Sequence, residues 1–142
     1  MAAVSQATTS WTGDLESGSG STALETSKVA TFDVSWKART DPSGGGTTTP
    51  EELLAAAHAS CFSMALAHGL TGNGTPPTSI STTAKVAFVP GTGITGIELS
   101  TTASVDGLED TDFQKIADET KTGCPVSAAL AAVPITLTAS LS

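Results

Sequence analysis

The chain has 142 residues, enough for one domain with a core of its own. Its fourteen acidic residues against six basic ones give a net charge of −8 at pH 7, which argues against binding to nucleic acid or to an anionic membrane surface. The N-terminus shows no basic leader, and the apolar runs are interpreted as too short to span a bilayer. We therefore expect one cytoplasmic domain over residues 1–142.

The first third of the chain is predicted to form β-structure. Residues 6–27 are rich in Ser and Thr and carry turn signals at Gly13–Asp14 and Gly18–Gly20, which indicates a hairpin. Residues 28–37 alternate between apolar and polar side chains and predict a third strand. Residues 40–49 contain one proline and three glycines and predict a loop.

A long apolar helix, PEELLAAAHASCFSMALAHG, is predicted over residues 50–69. Thr49 as N-cap, Pro50 at the first helical position and Glu52 three residues after the cap form a capping box. Gly69 is predicted to end the helix. Because no face is strongly polar, we expect this helix to be buried nearly all round.

The rest of the chain predicts a second hairpin, two helices and a closing strand. Residues 75–89 and 94–106 alternate with period two on either side of a short turn. Residues 108–123 predict a helix with one polar face, 124–133 a short Ala-rich helix, and 134–141 a strand. The order β-β-β-α-β-β-α-α-β, with hairpins rather than crossovers, predicts an α+β fold on antiparallel sheet.

The two cysteines, Cys61 and Cys124, admit several interpretations. They could form a structural disulfide in a secreted protein, whereas in a reducing cytoplasm they would be reactive, metal-bound or simply small buried residues. At 100° per residue, His58 and His68 share a broad helical face with Cys61, and no role is assigned to either. His58, Cys61 and Cys124 would supply three zinc ligands, although structural zinc ligands usually occur as close pairs in both halves of the site.

A redox interpretation draws on more of the residues. Cys124 follows Gly123 and precedes Pro125, a sequence that predicts Cys124 as the N-cap of a short helix whose dipole favours a thiolate. Cys61 lies in mid-helix, where the backbone donors are paired, so its thiolate would need an external cation. The only arginine of the sequence, Arg39, is one candidate for that cation, and an ordinary surface position is the alternative.

Three segments together resemble the OsmC/Ohr family of thiol-dependent peroxidases: PEEL at the helix start, AAHASCFSMAL around Cys61 and GCPVS around Cys124. The second segment is closer to the OsmC branch, and WTGDLESGSGSTALET extends the likeness over essentially the whole chain, 1–142, as one OsmC-like domain. Thr49 stands where relatives often have Asn. The resemblance implies an OsmC-like fold, in which antiparallel sheets wrap around a buried central helix and two chains intertwine as a homodimer with active sites at the interface.

The resemblance also implies roles for four residues. Cys61 would be the thiolate that attacks the peroxide, and Cys124 would resolve the resulting sulfenic acid to a disulfide. Arg39 would stabilise the Cys61 thiolate and the leaving oxygen, and Glu51 would hold Arg39. Glu51 lies about 15 Å before Cys61 on a straight helix, so the site closes more easily if Arg39 and Glu51 come from a partner chain or if the helix start bends.

The function implied is reduction of organic hydroperoxides to alcohols in oxidative stress defence, with an external dithiol as reductant and with no bound cofactor and no metal. A lipoylated protein is one candidate for that reductant. The Ala-rich helical faces would let the two cysteines approach each other, and an apolar wall of Leu54, Phe62, Met64 and Val126 would favour substrates with an alkyl tail. The alternative is a non-catalytic OsmC-like stress protein or small-molecule-binding protein.

Overall fold

The computed structural model describes residues 1–41, 43 and 45–142, and it confirms the predicted α+β class. The chain divides into two compact units, residues 1–50 and residues 51–142. In chain order the elements are β1 (Ala7–Thr12), β2 (Ser19–Leu24), β3 (Thr31–Val34), α1 (Trp36–Thr40), α2 (Pro50–Gly72), β4 (Ser79–Val89), β5 (Gly93–Ser104), α3 (Asp110–Gly123), α4 (Pro125–Ala129) and β6 (Ile135–Leu141).

The N-terminal unit contains a three-stranded antiparallel sheet in the order β1-β2-β3, and the predicted first hairpin is confirmed. The third predicted strand is wrong at its C-terminal end, because strand β3 stops at Val34 and helix α1 begins at Trp36. Ser35 causes this change, since its Oγ accepts a hydrogen bond from the backbone N–H of Ala38 at 3.2 Å and so caps α1.

The predicted loop over residues 40–49 includes Pro42 and Gly44, which lie outside the described residues. Near its end, Thr48 forms an isolated parallel bridge with Val34, and the backbone N–H of Thr48 donates to the carbonyl of Asp33 at 3.1 Å. These contacts attach the end of the loop to strand β3, just before α2 begins.

Helix α2 begins at Pro50 as predicted but extends to Gly72, three residues beyond the predicted end at Gly69. Gly69 serves packing instead: a Cβ added there would lie 3.2 Å from the Ile116 side chain of α3. The prediction of burial on all sides is also wrong. The buried residues form one stripe at helical spacing, namely Glu51, His58, Phe62, Leu66 and Leu70.

One prediction about membranes needs correction. Within the described residues, α2 is long and apolar enough to cross a bilayer by length and composition alone, with a mean hydropathy of 1.4 over the most apolar window. The core helix of a soluble protein meets the same criteria. The two histidines and two glutamates of α2 would be costly at membrane depth, so the composition gives only weak support for a membrane span.

The C-terminal unit contains a second three-stranded sheet in the order β4-β5-β6. Strands β4 and β5 form the predicted hairpin, with an irregularity between Ala87 and Phe88. Strand β6 pairs with β5 in parallel, so the expectation of purely antiparallel sheet is wrong for this pair. The chain returns through α3 and α4 before it enters β6, and such a crossover allows parallel pairing.

The core of the C-terminal unit lies where α2 and α3 pack on one face of this sheet. Its members are mostly large apolar side chains from these elements, and one of them is a cysteine: Phe62, Leu66, Leu70, Leu99, Ala103, Phe113, Ala117 and Cys124. The core therefore holds the start of α4, and with it Cys124, against the middle of α2.

Candidate active site

Cys61 lies in the middle of α2 and is partly exposed. It borders a cavity of about 760 Å³ formed by α2, α3 and the start of α4. The lining includes the apolar side chains of Met64 and Ile116 and the polar side chains of His68 and Glu119. This volume is in the range of small-molecule sites, so a small ligand can reach the Cys61 sulfur from this side.

Cys124 lies between two helices, as the Gly-Cys-Pro sequence predicts. Its backbone N–H donates to the carbonyl of Thr120 at 2.9 Å, which closes α3, and the residue is the N-cap of α4, whose first residue is Pro125. Unlike Cys61, the Cys124 side chain is fully buried, with 0% of its surface exposed.

The two sulfurs lie 3.2 Å apart, and both cysteines are free thiols. The expectation that Cys61 and Cys124 lie within disulfide reach is therefore confirmed, but the alanines after Cys124 are not the cause, because Ala128, Ala129, Ala131 and Ala132 are exposed. A reduced pair at this distance needs little backbone movement to form a disulfide.

The surroundings of the two thiols differ in their effect on acidity. Burial raises the pKa of the Cys61 thiol and outweighs the opposing effect of the Val126 N–H, and Cys124 raises the pKa further. Burial also acts to raise the pKa of Cys124, but the N–H of Ser127, the Cys61 thiol, the Ser127 hydroxyl and the Val126 N–H together lower the pKa below its usual value. Within the C-terminal unit, Cys124 is therefore the more acidic thiol.

A buried histidine–serine pair stands beside Cys124. His58 Nε2 lies 2.7 Å from Ser127 Oγ, and both residues are buried. Burial lowers the pKa of His58, so the imidazole is neutral at pH 7. Ser127 lies three residues after Cys124, and its hydroxyl is one of the groups that lower the pKa of Cys124.

The second ring nitrogen of His58, Nδ1, shows which residue donates in the hydrogen bond between His58 and Ser127. Nδ1 is buried and has no hydrogen-bond partner among the described residues. A buried N–H without a partner is rarer than an under-used acceptor, so we assign the proton to Nε2. His58 then donates to Ser127, and the Ser127 hydroxyl keeps its own proton, which agrees with its effect of lowering the pKa of Cys124.

Arg39 and Glu51, the other two predicted site residues, lie in different units, and each is described within its own unit. In the N-terminal unit, Arg39 lies on α1 with its guanidinium carbon 5.9 Å from the centre of the Trp36 ring. Both residues line a mostly apolar cavity of about 240 Å³. In the C-terminal unit, Glu51 lies in the first turn of α2 and is 7% exposed. A catalytic role for either residue stays a prediction.

The zinc hypothesis finds no support in the arrangement of the side chains. Among the residues that the structure describes, no three Cys, His, Asp or Glu side chains come together in a way that could hold a metal ion. His58, one of the three suggested ligands, points its Nε2 at Ser127 instead. The other histidine, His68, lines the cavity beside Cys61.

Sequence reasoning missed Ser127, the hydrogen-bond partner of His58. Ser127 and His58 are 69 positions apart, so only the packing of α4 on α2 brings them together. The proposed apolar wall was partly wrong as well: Met64 lines the cavity, but Phe62 is fully buried in the core and cannot meet a substrate.

Comparison with known proteins finds relatives of this chain by sequence and by fold. Residues 42–138 match the family described as OsmC-like protein. Peroxiredoxin OsmC of Escherichia coli (strain K12) is 40% identical over 125 residues, which are 86% of each chain. A crystal structure of an organic hydroperoxide resistance protein OsmC from Legionella pneumophila has a TM-score of 0.70 at 24% identity and covers 99% of both chains.

The organic hydroperoxide resistance protein OhrB of Bacillus subtilis has the same fold, with a TM-score of 0.63 at 21% identity over 96% of this chain and 98% of that one. The family match spans more than half of the present chain, and the identity to the Escherichia coli protein extends over most of it. The chain therefore belongs to the OsmC family.

Proposed function

We propose that this chain reduces organic hydroperoxides to alcohols as a cysteine-based peroxidase of the oxidative stress defence, with Cys61 as the attacking thiolate and Cys124 as the resolving thiol. The observation that carries the proposal is a pair of free sulfurs 3.2 Å apart, of which Cys61 faces a cavity. Membership of the OsmC family, with a 40% identical relative named a peroxiredoxin, supports the reaction class.

The reaction has two chemical steps in the protein. The Cys61 thiolate attacks the peroxide oxygen, the O–O bond breaks, and the alkoxide takes a proton from solvent to leave as the alcohol. Cys61 is then a sulfenic acid. The Cys124 thiolate attacks the Cys61 sulfur, the S–S bond forms, and the hydroxide that leaves is protonated to water.

Arg39 is proposed as the cation that lowers the pKa of the Cys61 thiol, with Glu51 as the carboxylate that positions it. Within the C-terminal unit, burial and Cys124 raise that pKa, so attack at neutral pH needs a positive charge from elsewhere. Arg39 is the only arginine of the sequence and borders an apolar cavity in its own unit. In this proposal both residues act on Cys61 either within one chain or across a dimer.

The working form is proposed to be a soluble homodimer in the cytoplasm, recycled by an external dithiol such as a lipoylated protein. Two surfaces support the dimer: β1 is exposed along its whole length, and α2 exposes Ala56, Ala57, Ser60 and Met64. A reducing compartment suits two cysteines that are free thiols.

Steady-state turnover with cumene hydroperoxide and dihydrolipoamide tests the proposal. We expect the natural chain to turn over and Cys61→Ser to be inactive, because the serine hydroxyl is not a nucleophile for peroxide under these conditions. Cys124→Ser should consume about one equivalent of peroxide and stop with Cys61 as a sulfenic or further oxidised acid.

The double variant Cys61→Ser/Cys124→Ser controls for peroxide lost without either thiol. Absence of turnover by the natural chain would argue for the non-catalytic binding protein. Full turnover by Cys124→Ser would show that Cys124 does not resolve the sulfenic acid.

A further inference from the structure

The two sulfurs lie close together, but only one of them can be reached by a reactant from solvent. Cys61 borders the cavity between α2 and α3, whereas Cys124 does not line it and has 0% of its surface exposed. A partner chain added to the surface would leave Cys124 buried. Peroxide must in any case reach Cys61, so a path to that sulfur exists in the working enzyme, and the same path is open to a second reactant.

We propose that the external dithiol attacks the oxidised pair at Cys61, through the α2–α3 cavity, and that Ser127 and His58 hold Cys124 as the thiolate that leaves. This inference deepens the proposed function and rests on it. It assigns the sulfur that the reductant attacks. It also gives Ser127 and His58, which have no role in the attack on peroxide, a positioning role in the recycling of the disulfide.

The bond changes balance as follows. A thiolate of the dithiol attacks Cys61 Sγ, the Cys61–Cys124 bond breaks, and its electron pair goes to Cys124. The second thiol of the reductant loses its proton and attacks the reductant sulfur of the mixed disulfide. The reductant leaves as a cyclic disulfide, Cys61 receives the second electron pair, and the proton released returns one of the two cysteines to a thiol.

Once Cys61 is attacked, Cys124 is the sulfur that must leave, and its surroundings already favour the charged form. A thiolate of low pKa leaves faster in thiol–disulfide exchange. Ser127 lies three residues after Cys124 and hydrogen-bonds to His58 Nε2 at 2.7 Å, and its N–H and hydroxyl lower the pKa of Cys124.

The site of attack can be read directly. The disulfide is first formed with diamide instead of peroxide, so that the test does not depend on peroxidase activity. It is then opened with N-acetylcysteine, quenched in acid within the first turnover, alkylated with N-ethylmaleimide in denaturant and digested with trypsin. The two cysteines fall in separate peptides, residues 40–85 and 122–142.

We expect N-acetylcysteine on Cys61 and N-ethylmaleimide on Cys124. The reverse pattern, an even mixture, or a pair that diamide does not oxidise would overturn the proposal. If the diamide-formed pair opens at Cys61 but hydroperoxide never oxidises it, the proposed peroxidase function fails and the entry point stands.

Two substitutions test the positioning role. Ser127→Ala should raise the pKa of Cys124 and slow opening of the disulfide by about three- to tenfold, because the stabilising effect of the hydroxyl on the leaving thiolate is lost. Oxidation of Cys61 by peroxide should change little. Unchanged opening in Ser127→Ala, with circular dichroism showing a folded chain, would overturn this role.

His58→Leu and His58→Gln form a matched pair. Leucine removes the donor, whereas glutamine keeps an N–H that can donate to Ser127. Measured by thiolate absorbance in a Cys61→Ser background, the pKa of Cys124 should rise in His58→Leu and return in His58→Gln. A lower pKa in His58→Leu would mean that His58 accepts from Ser127, and it would overturn the positioning role of His58.

Discussion

At the scale of single residues, two chemically identical thiols acquire different properties from their positions. Cys61 borders the cavity, and burial raises its pKa. Cys124 is closed off, but the N–H groups at the start of α4 and the Ser127 hydroxyl lower its pKa. The accessible thiol, which is the one proposed to attack, therefore needs help to ionise, whereas the surroundings of the buried thiol already lower its pKa.

The need of Cys61 for a cation can be tested through pH dependence. Only the thiolate attacks peroxide, so the rate of sulfenic acid formation rises with pH through the pKa of Cys61. Removal of the positive charge in Arg39→Gln should raise that pKa and move the profile to higher pH. The rate at pH 7 should then fall by about tenfold for every tenfold loss of thiolate. Stopped-flow oxidation across pH measures the profile.

Lys37→Gln is the matched control, because it removes the same charge from the same short helix α1. We expect its profile to stay near that of the natural chain. Equal changes in Arg39→Gln and Lys37→Gln would reduce the effect to net charge, and an unchanged profile in Arg39→Gln would remove Arg39 from the site.

The role of a residue could be predicted from the sequence where it depends only on neighbours in the chain. Gly123, Cys124 and Pro125 are neighbours in the chain, so the N-cap position of Cys124 could be predicted. The pairing of His58 with Ser127 could not, because it depends on how α4 packs on α2. The same limit applied to Ile116, whose contact with Gly69 turned an expected helix end into a packing position.

At the scale of elements, the periodic patterns predicted correctly whether each long segment is a helix or a strand. The errors concern where elements end and which strands pair. Ser35 stopped β3 and started α1, an effect of one side-chain hydrogen bond that alternation does not reveal. The parallel pairing of β6 with β5 depends on the path of α3 and α4. The exposed face of α2 was missed because alanine is compatible with either a buried or an open face.

At the scale of the whole molecule, the exposed apolar face of α2 and the exposed strand β1 lead us to expect a dimer. An apolar helix with Met64 68% exposed and a strand exposed along its whole length are unusual for an isolated chain. We therefore expect light scattering to give twice the chain mass of 14.1 kDa at micromolar concentration. A mass of 14.1 kDa over that range would contradict the dimer.

A substitution locates the interface. Ala57→Glu places a charge on the exposed face of α2 and should favour the single chain, because burial of an unpaired carboxylate is costly. Thr111→Glu adds the same charge at an exposed position in the first turn of α3 and should leave the mass unchanged. Equal masses for the two variants would place the interface elsewhere.

The central claim is that Cys61 and Cys124 form one redox pair that peroxide oxidises. Intact mass spectrometry of the natural chain after one equivalent of cumene hydroperoxide tests it most directly. We expect the mass to fall by two hydrogens in a single product, with both cysteines blocked to alkylation until a reductant is added. A gain of one or more oxygen atoms on Cys61 with Cys124 still alkylatable, or an unchanged mass, would contradict the claim.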